Sequence, residues 1–268
     1  IAYEDGESFA ATCESFWSKW VDVSPSLSDN WGGYWTLNSF FLYYEGDPTD
    51  AQPFIDDMQS WKTSQEFSDL VTLSDTQYTS YWNARDEGAS TDETGYDSFS
   101  IGSRLVPLDF VSNSPESAVA LLKDLFNAGF YTFNYFLGGA TAAVTATATS
   151  MHPSARDALW QIEVVGDNWE DMMDILRNAL PDSGSGYNHG ARNEPLWRDA
   201  FWGSNYDRLL EIKTQLDPNN TLNCWHCVGY EGEEINDDSD LEASAAARVA
   251  LMPLIVAIAV LLLQVGRS

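Results

Sequence analysis

Two periodicities alternate along this chain, and their alternation limits the available folds more than any other feature. Phe9, Cys13, Phe16, Trp17, Trp20 and Val21 recur at i, i+4, i+7, i+8, i+11 and i+12, one apolar face of a helix. Phe54, Ile55, Met58 and Trp61 repeat the pattern after Pro53, a residue suited to a first helical turn. Ser114-Pro115-Glu116 predicts a helix start and Gly129 its stop, with Ala118, Val119, Leu122, Leu125 and Phe126 on the apolar face. A fourth helix is predicted from Asp167, with Trp169, Met172, Met173, Leu176 and Leu180, ending at Pro181. The last is predicted from Ser204, with Asp207 in the capping-box position and Tyr206, Leu209, Leu210 and Lys213 before Asp217-Pro218. Core packing accounts for all these stripes.

Between them lie β-type runs: Gly33 to Tyr44, Val71 to Leu73, Arg104 to Val111, Tyr131 to Leu137 and Leu159 to Val165. Helices and strands interleave without a regular βαβ rhythm. The expected fold class is therefore α+β, a mostly antiparallel sheet with flanking helices. The 268 residues suffice for a sizeable core, and 11 Trp, 12 Tyr and 13 Phe must find places in or around it. A formal charge of −28 excludes a nucleic-acid partner, because so few cations cannot replace the counterions on phosphate.

Past Gly229 the composition changes. Seven of the twelve residues from Glu231 to Glu242 are acidic, which predicts a solvated, disordered linker over residues 231–248. An apolar run from Val249 to Leu263 follows, within a hydrophobic tail over residues 249–265; fifteen residues is short for a spanning helix, which needs roughly 20. The chain opens Ile1-Ala2-Tyr3, without Met or a signal sequence, and the expectation is a start inside a longer protein. Asn219-Asn220-Thr221 is the one glycosylation sequon, at Asn219.

The residues alone point to little chemistry. His152, His189 and His226 are isolated in sequence, and no spacing predicts a metal site. Cys224-Trp225-His226-Cys227 has CxxC spacing but follows a helix, a proline and a polar turn, the wrong setting for a thioredoxin-like redox pair. A structural bridge is expected, with the partner of each cysteine, Cys13 included, left open. The stretch from Gly184 to Gly190 has neither the spacing nor the preceding strand of a dinucleotide fingerprint. On the run Leu159 to Val165, Gln161 and Glu163 share a face by period-two alternation, either at a pocket or on a solvent-facing edge.

The stretch from Pro181 to Gly229 carries six ordered landmarks: Pro181-Asp182-Ser183-Gly184, Gly186-Tyr187-Asn188, Glu194-Pro195-Leu196-Trp197, Phe201-Trp202-Gly203-Ser204-Asn205-Tyr206, Asp217-Pro218-Asn219-Asn220 and Cys224-Trp225-His226-Cys227-Val228-Gly229. With them it resembles the berberine-like C-terminal segment of fungal FAD-linked oxidases of the vanillyl-alcohol-oxidase and berberine-bridge-enzyme class, whose Tyr-x-Asn region falls at Gly186-Tyr187-Asn188. Upstream, Gly33-Tyr34-Trp35, Gly102-Ser103-Arg104-Leu105, Gly138-Gly139 and His152-Pro153 keep the order of the same family. The resemblance implies a substrate domain over residues 1–180 and a berberine-like segment over residues 181–230. It implies FAD as cofactor, held by an N-terminal domain of the same protein outside this sequence, a small-molecule substrate and O2 as acceptor.

Carried over by position, Asn188 is the expected cofactor contact. The family tyrosine falls on Gly186, with Tyr187 beside it. The glutamate that follows Gly-Gly in plant members has no counterpart, since Ala140-Thr141-Ala142-Ala143 follows Gly138-Gly139. Glu163 and Tyr187 are then the candidate catalytic bases, and Gln161 and Glu163 the candidate substrate contacts. Two functions stay open: part of a flavin-dependent oxidase, or a surface-anchored binding protein that keeps the oxidase fold without chemistry.

The tail is expected to anchor a secreted protein at the cell surface. Small residues near Asp238 and Ser239, a spacer from Asp240 to Arg248 and a terminal apolar run are ordered like a lipid-attachment signal over residues 243–268, with an uncleaved tail anchor as the alternative. Phosphatidylinositol-specific phospholipase should release the protein from intact cells. Retention, with peptides from Leu251 to Leu263 still detected by mass spectrometry, would refute the signal.

Overall fold

A computed structural model describes residues 6–66, 68–80, 82–83, 101–129 and 131–230. The acidic linker and apolar tail predicted over residues 231–268 lie outside the described residues, as do Ile1 to Asp5. Residues 181–229 belong to the same compact unit as the residues before them. No helix among the described residues is long and apolar enough to cross a membrane.

The long aromatic stripe forms α1, Gly6–Val23. A hairpin follows, β1 Trp31–Thr36 and β2 Ser39–Tyr44. The single run expected from Gly33 to Tyr44 is thus folded in two at Leu37-Asn38, where Thr36 pairs with Ser39. Helix α2 spans Pro48–Ser64 and starts earlier than Pro53 suggested, because Asp47 caps it by accepting from the Thr49 N–H at 3.0 Å and Pro48 fills the first turn. Pro53 lies inside the helix. No strand forms over Val71 to Leu73. Strand β3 covers Ile101–Pro107, and the run expected to continue to Val111 turns instead into helix α3, Leu108–Asn113. Pro107 explains the break: it has no N–H for the ladder, and the register shifts between Val106 and Pro107.

Helix α4, Pro115–Ala128, strand β4, Thr132–Phe136, strand β5, Ala158–Val165, and helix α5, Trp169–Ala179, follow the sequence pattern closely. Beyond them lie α6, Trp197–Phe201, and α7, Tyr206–Leu216. The capping box predicted at Ser204 and Asp207 does not form. A 3-10 turn over Gly203–Asn205 leads into α7, and no side chain caps its start.

The strands make one antiparallel sheet in the order β2-β1-β4-β5-β3. Its two faces differ sharply. Trp160, Ile162 and Val164 of β5 are fully buried in the main core with Val106 of β3, Trp35 of β1, Phe16, Trp17 and Trp20 of α1, and Leu122, Leu125, Met172, Met173 and Leu176 of α4 and α5. The indoles interlock from helix to sheet, with ring centroids 5.8 Å apart for Trp20 and Trp35 and 5.1 Å for Trp35 and Trp160. Five of the tryptophans, Trp17, Trp20, Trp35, Trp160 and Trp169, are buried here, where large planar rings bury the most area per residue. The stripe on α7 is the exception. None of its residues is buried, and Leu216 is 81 % exposed.

The berberine-like landmarks close the edge of the sheet beyond β3. Leu105 N–H donates to Gly184 O at 2.8 Å, Ser185 Oγ donates to Ser103 O at 2.6 Å, and Gly186 N–H donates to Ser103 Oγ at 3.1 Å. Gly184 is glycine because an added Cβ would stand 2.3 Å from His152 Nδ1. Glu194 sits almost fully buried between two guanidinium groups, accepting from Arg104 at 3.5 Å and from Arg177 at 3.3 Å. Replacing Glu194 with Ala should destabilise the unit by about 3–5 kcal/mol in urea unfolding, since it strands the buried Arg104 charge.

Candidate active site

Alternation along β5 decides what lies on the second face of the sheet. With Trp160, Ile162 and Val164 committed to the core, Gln161 and Glu163 must point the other way. The register places Ser103 and Phe133 opposite Glu163, and Leu105 and Tyr135 opposite Gln161. Across β1 and β2 the same face continues through Tyr34, which pairs with Tyr135 on one side and Phe41 on the other. Tyr34 and Phe41 stack with centroids 5.0 Å apart, and Phe41 is 51 % exposed. This face is therefore an aromatic terrace with one carboxylate set into it. The alternative of a solvent-facing strand edge does not apply, because β5 is internal to the sheet and Glu163 is only 3 % exposed.

Glu163 is held on one oxygen. Gln161 Nε2 donates to Glu163 Oε1 at 2.7 Å, and His189 Nδ1 makes close contact with the same oxygen. Burial pushes the Glu163 carboxyl up to about 7, although the Gln161 hydrogen bond pulls the other way. Burial also lowers the pKa of His189, whose ring stacks on Tyr135 at 6.2 Å and 7°. A carboxyl that resists ionisation beside an imidazole that resists protonation is poised for proton transfer near neutrality.

His189 was not expected at the site, since the three histidines are isolated in sequence. A short 3-10 turn, Tyr187–His189, brings it over β5. Gly186 allows that approach: a Cβ there would stand 2.5 Å from Gln161 Oε1. The other candidates in this turn are placed differently. Asn188 is exposed. The Tyr187 hydroxyl lies 3.2 Å from Cys227 Sγ and donates to Trp225 O at 3.2 Å, and burial raises its pKa. The phenol thus faces the bridge that Cys224 and Cys227 form with each other, while Cys13 is buried and free. Burial pushes the Cys13 thiol up to about 12, which makes it inert.

His152 and His226 are structural. His152 Nδ1 accepts the Ser154 N–H at 3.0 Å, so its Nε2–H donates to Asp199 O at 2.9 Å. His226 is buried and stacked on Trp197 at 5.2 Å. No cluster of three metal-ligating side chains occurs among the described residues. Asn219, the sequon residue, is exposed in the turn after α7. A cavity of about 510 Å³, lined by Asp29, Trp31, Leu137, Arg156 and Leu159, opens at the end of the sheet where β5 begins, and its lining includes neither Glu163 nor His189.

Comparison with known proteins gives this arrangement a family setting. Residues 187–227 match the family "Berberine and berberine like". The chain carries a berberine-like segment. The FAD-linked oxidoreductase ffsJ of Aspergillus flavipes is 48% identical over 58 residues, covering 22% of this chain and 9% of that protein. The FAD-linked oxidoreductase OXR2 of Pyricularia oryzae is 26% identical over 265 residues, covering 84% of this chain and 44% of that protein. The chain thus spans less than half the length of these curated relatives. Among solved structures, a VAO-type flavoprotein of Myceliophthora thermophila C1 superposes with a TM-score of 0.63 at 19% identity, covering 84% of this chain and 45% of the other. A xylooligosaccharide oxidase from the same organism, solved with xylobiose, gives 0.55 at 17%, covering 82% and 53%. At these identities the shared property is the fold: the sheet and helices flanking the berberine-like segment are those of VAO-type flavoproteins.

The raised Glu163 pKa has a stability consequence. Between the unfolded value near 4.5 and the folded value of about 7, the native state binds the extra proton, so stability falls as pH rises through that window. The full difference is about 3 kcal/mol by linkage. The lowered His189 pKa acts oppositely below its ordinary value of 6.5, so the fall should be steepest above that pH. Glu163→Gln should flatten the thermal-stability profile between pH 5 and 8 and raise Tm at pH 8.

The short loop closed by Cys224 and Cys227 is worth about 2 kcal/mol by loop-closure entropy. The double Ser variant should lower Tm accordingly, with any turnover per folded molecule nearly unchanged. Lost turnover at unchanged Tm would assign the pair a redox role.

Proposed function

We propose that this chain is the substrate-binding part of a flavin-dependent oxidoreductase that oxidises an alcohol, sugar or amine-type small molecule. The observation that carries this reading is a buried carboxyl, which burial holds in its neutral form up to about pH 7, set among aromatic side chains on one sheet face and flanked by the berberine-like segment. The relatives named as FAD-linked oxidoreductases support FAD as the cofactor, and the domain that holds it is assigned to a region of the same protein outside this sequence.

The residues suit one part of FAD and not another. A flat terrace of Tyr34, Phe41 and Tyr135 beside Glu163 is the right shape to cover a planar ring. Among the described residues no glycine-rich turn joins a strand to a helix N-terminus, the usual grip for a pyrophosphate. When bound, FAD would supply the acceptor for a hydride from the substrate carbon, with O2 proposed as the final acceptor of the electrons. This chain supplies the rest. The aromatic face holds the substrate and keeps water from it. Gln161 fixes Glu163 through Oε1, and Glu163 Oε2 has no hydrogen bond among the described residues, so it is the oxygen that takes the substrate O–H or N–H proton. Asn188, on the exposed turn, is assigned a contact to the cofactor. Tyr187 is the second candidate base, behind Glu163 because its hydroxyl is engaged at the disulfide loop.

The same reading puts the protein outside the cell, glycosylated at Asn219 and held at the membrane by a lipid that replaces the signal over residues 243–268 after cleavage near Asp238 or Ser239. The Cys224–Cys227 bridge supports an oxidising compartment. In the full-length, FAD-loaded protein, Glu163→Gln should cut peroxide production by roughly 100-fold or more while leaving flavin absorbance intact. Assayed on alcohols and oligosaccharides, unchanged rates would remove Glu163 from the reaction.

A further inference from the structure

We infer that His189 is a positioning residue for Glu163 that shares its proton and carries it from the buried site to solvent. The inference rests on the proposed role of Glu163 as the base and goes beyond it by naming the route the proton takes.

Three geometric observations converge. His189 Nδ1 contacts Glu163 Oε1, the same oxygen that Gln161 Nε2 occupies at 2.7 Å. The two side chains differ in exposure: that of Glu163 is 4 % exposed and that of His189 is 39 %. The imidazole therefore spans the step between a dry carboxyl and water. Its plane is fixed by stacking on Tyr135 at 7°, and its backbone is fixed because the His189 N–H donates to Gly186 O at 3.1 Å.

A base buried to this degree has a problem that an exposed one lacks. Once it has taken the substrate proton, the bound product stands between it and water, and it stays blocked for the next turnover unless the proton has another way out. The groups facing Glu163 from the neighbouring elements are Ser103 on β3, Phe133 on β4, Gln161 on β5 itself and His189 on the turn. Of these, Phe133 has no exchangeable proton, Gln161 is a neutral amide, and the Ser103 hydroxyl is engaged with the Gly186 backbone. His189 is the one titratable member of this group.

The transfer balances simply. The substrate proton bonds to the Glu163 carboxylate as the substrate O–H or N–H bond breaks. A half-turn of the carboxyl about Cγ–Cδ presents the new O–H to His189 Nδ1, which takes the proton, and the imidazolium releases one from Nε2 to solvent. Glu163 is a carboxylate again and His189 is neutral, as before the turnover. The pKa directions agree with it, since burial raises Glu163 and lowers His189 and so brings the two affinities together.

This chain contributes His152, His189 and His226, and in nitrogen NMR of the full-length, histidine-labelled protein each is assigned by the signal that its own His→Gln variant removes. Glu163→Gln should move the His189 midpoint by roughly half a pH unit or more and leave His152 and His226 unmoved. An unmoved His189 midpoint would overturn the inference. In FAD-loaded protein, His189→Gln should lower kcat by roughly 10-fold or more with little change in KM, and displace the pH optimum. Added imidazole should restore turnover to His189→Ala. Turnover within twofold of wild type in His189→Gln across the pH range, with Glu163→Gln inactive, would refute the relay alone. Full turnover in Glu163→Gln would remove Glu163 as the base, and the relay with it, while absent turnover in the FAD-loaded wild type would refute the oxidase reading itself.

Discussion

The alternation of side chains along one buried strand governs both halves of this molecule. Strand β5 pairs with a neighbour on each edge, so its register is fixed from both sides. A slip of one residue would push Glu163 into the tryptophan core and expose Trp160, Ile162 and Val164. The interlocked rings of Trp20, Trp35 and Trp160 make that slip prohibitively costly. Glu163 is therefore aimed by hydrophobic packing on the opposite side of the sheet. The core sets the direction of the carboxylate, and the terrace sets how dry it is.

Most of the motifs in and around the berberine-like segment do structural work. Glu194 clamps Arg104 and Arg177, and Gly184 makes room for His152. Asn205 Nδ2 donates to Ala146 O at 3.1 Å and Met151 O at 2.8 Å, pinning the loop between β4 and β5. The Asp217 side chain accepts the N–H groups of Thr221 and Leu222, both at 2.8 Å, and closes the turn after α7. Cys224 and Cys227 bridge each other beside Tyr187. Together these contacts hold the segment against the β3 edge firmly enough for a short turn to deliver His189. The chemistry sits in the turn; the recognisable residues are its frame.

Much of the fold was legible because local physics and tertiary packing agree. The stripes of α1, α4 and α5 and the run of β5 meet the core where periodicity places them. The misses have local causes. The run after Arg104 reads as one strand in its apolar pattern, but Pro107 cannot donate to the ladder and the chain turns into α3. The Pro53 signal was overruled by Asp47 and Pro48, a stronger cap upstream. On α7 a helical stripe exists without a buried face.

By itself the sequence determined an antiparallel α+β unit, a pairing of Gln161 and Glu163 on one face of a strand, and a berberine-like edge segment, because each is written in local spacing or in a contiguous motif. Tertiary structure alone decided what those residues became. The desolvation that carries Glu163 to about 7 comes from strands and a turn distant in sequence. The contact with His189 joins positions 26 residues apart, through a turn whose Gly186 packs close against the Gln161 side chain. No periodicity encodes such a meeting, since it depends on the β3 edge receiving the segment from Ser183 to Gly186 in one register.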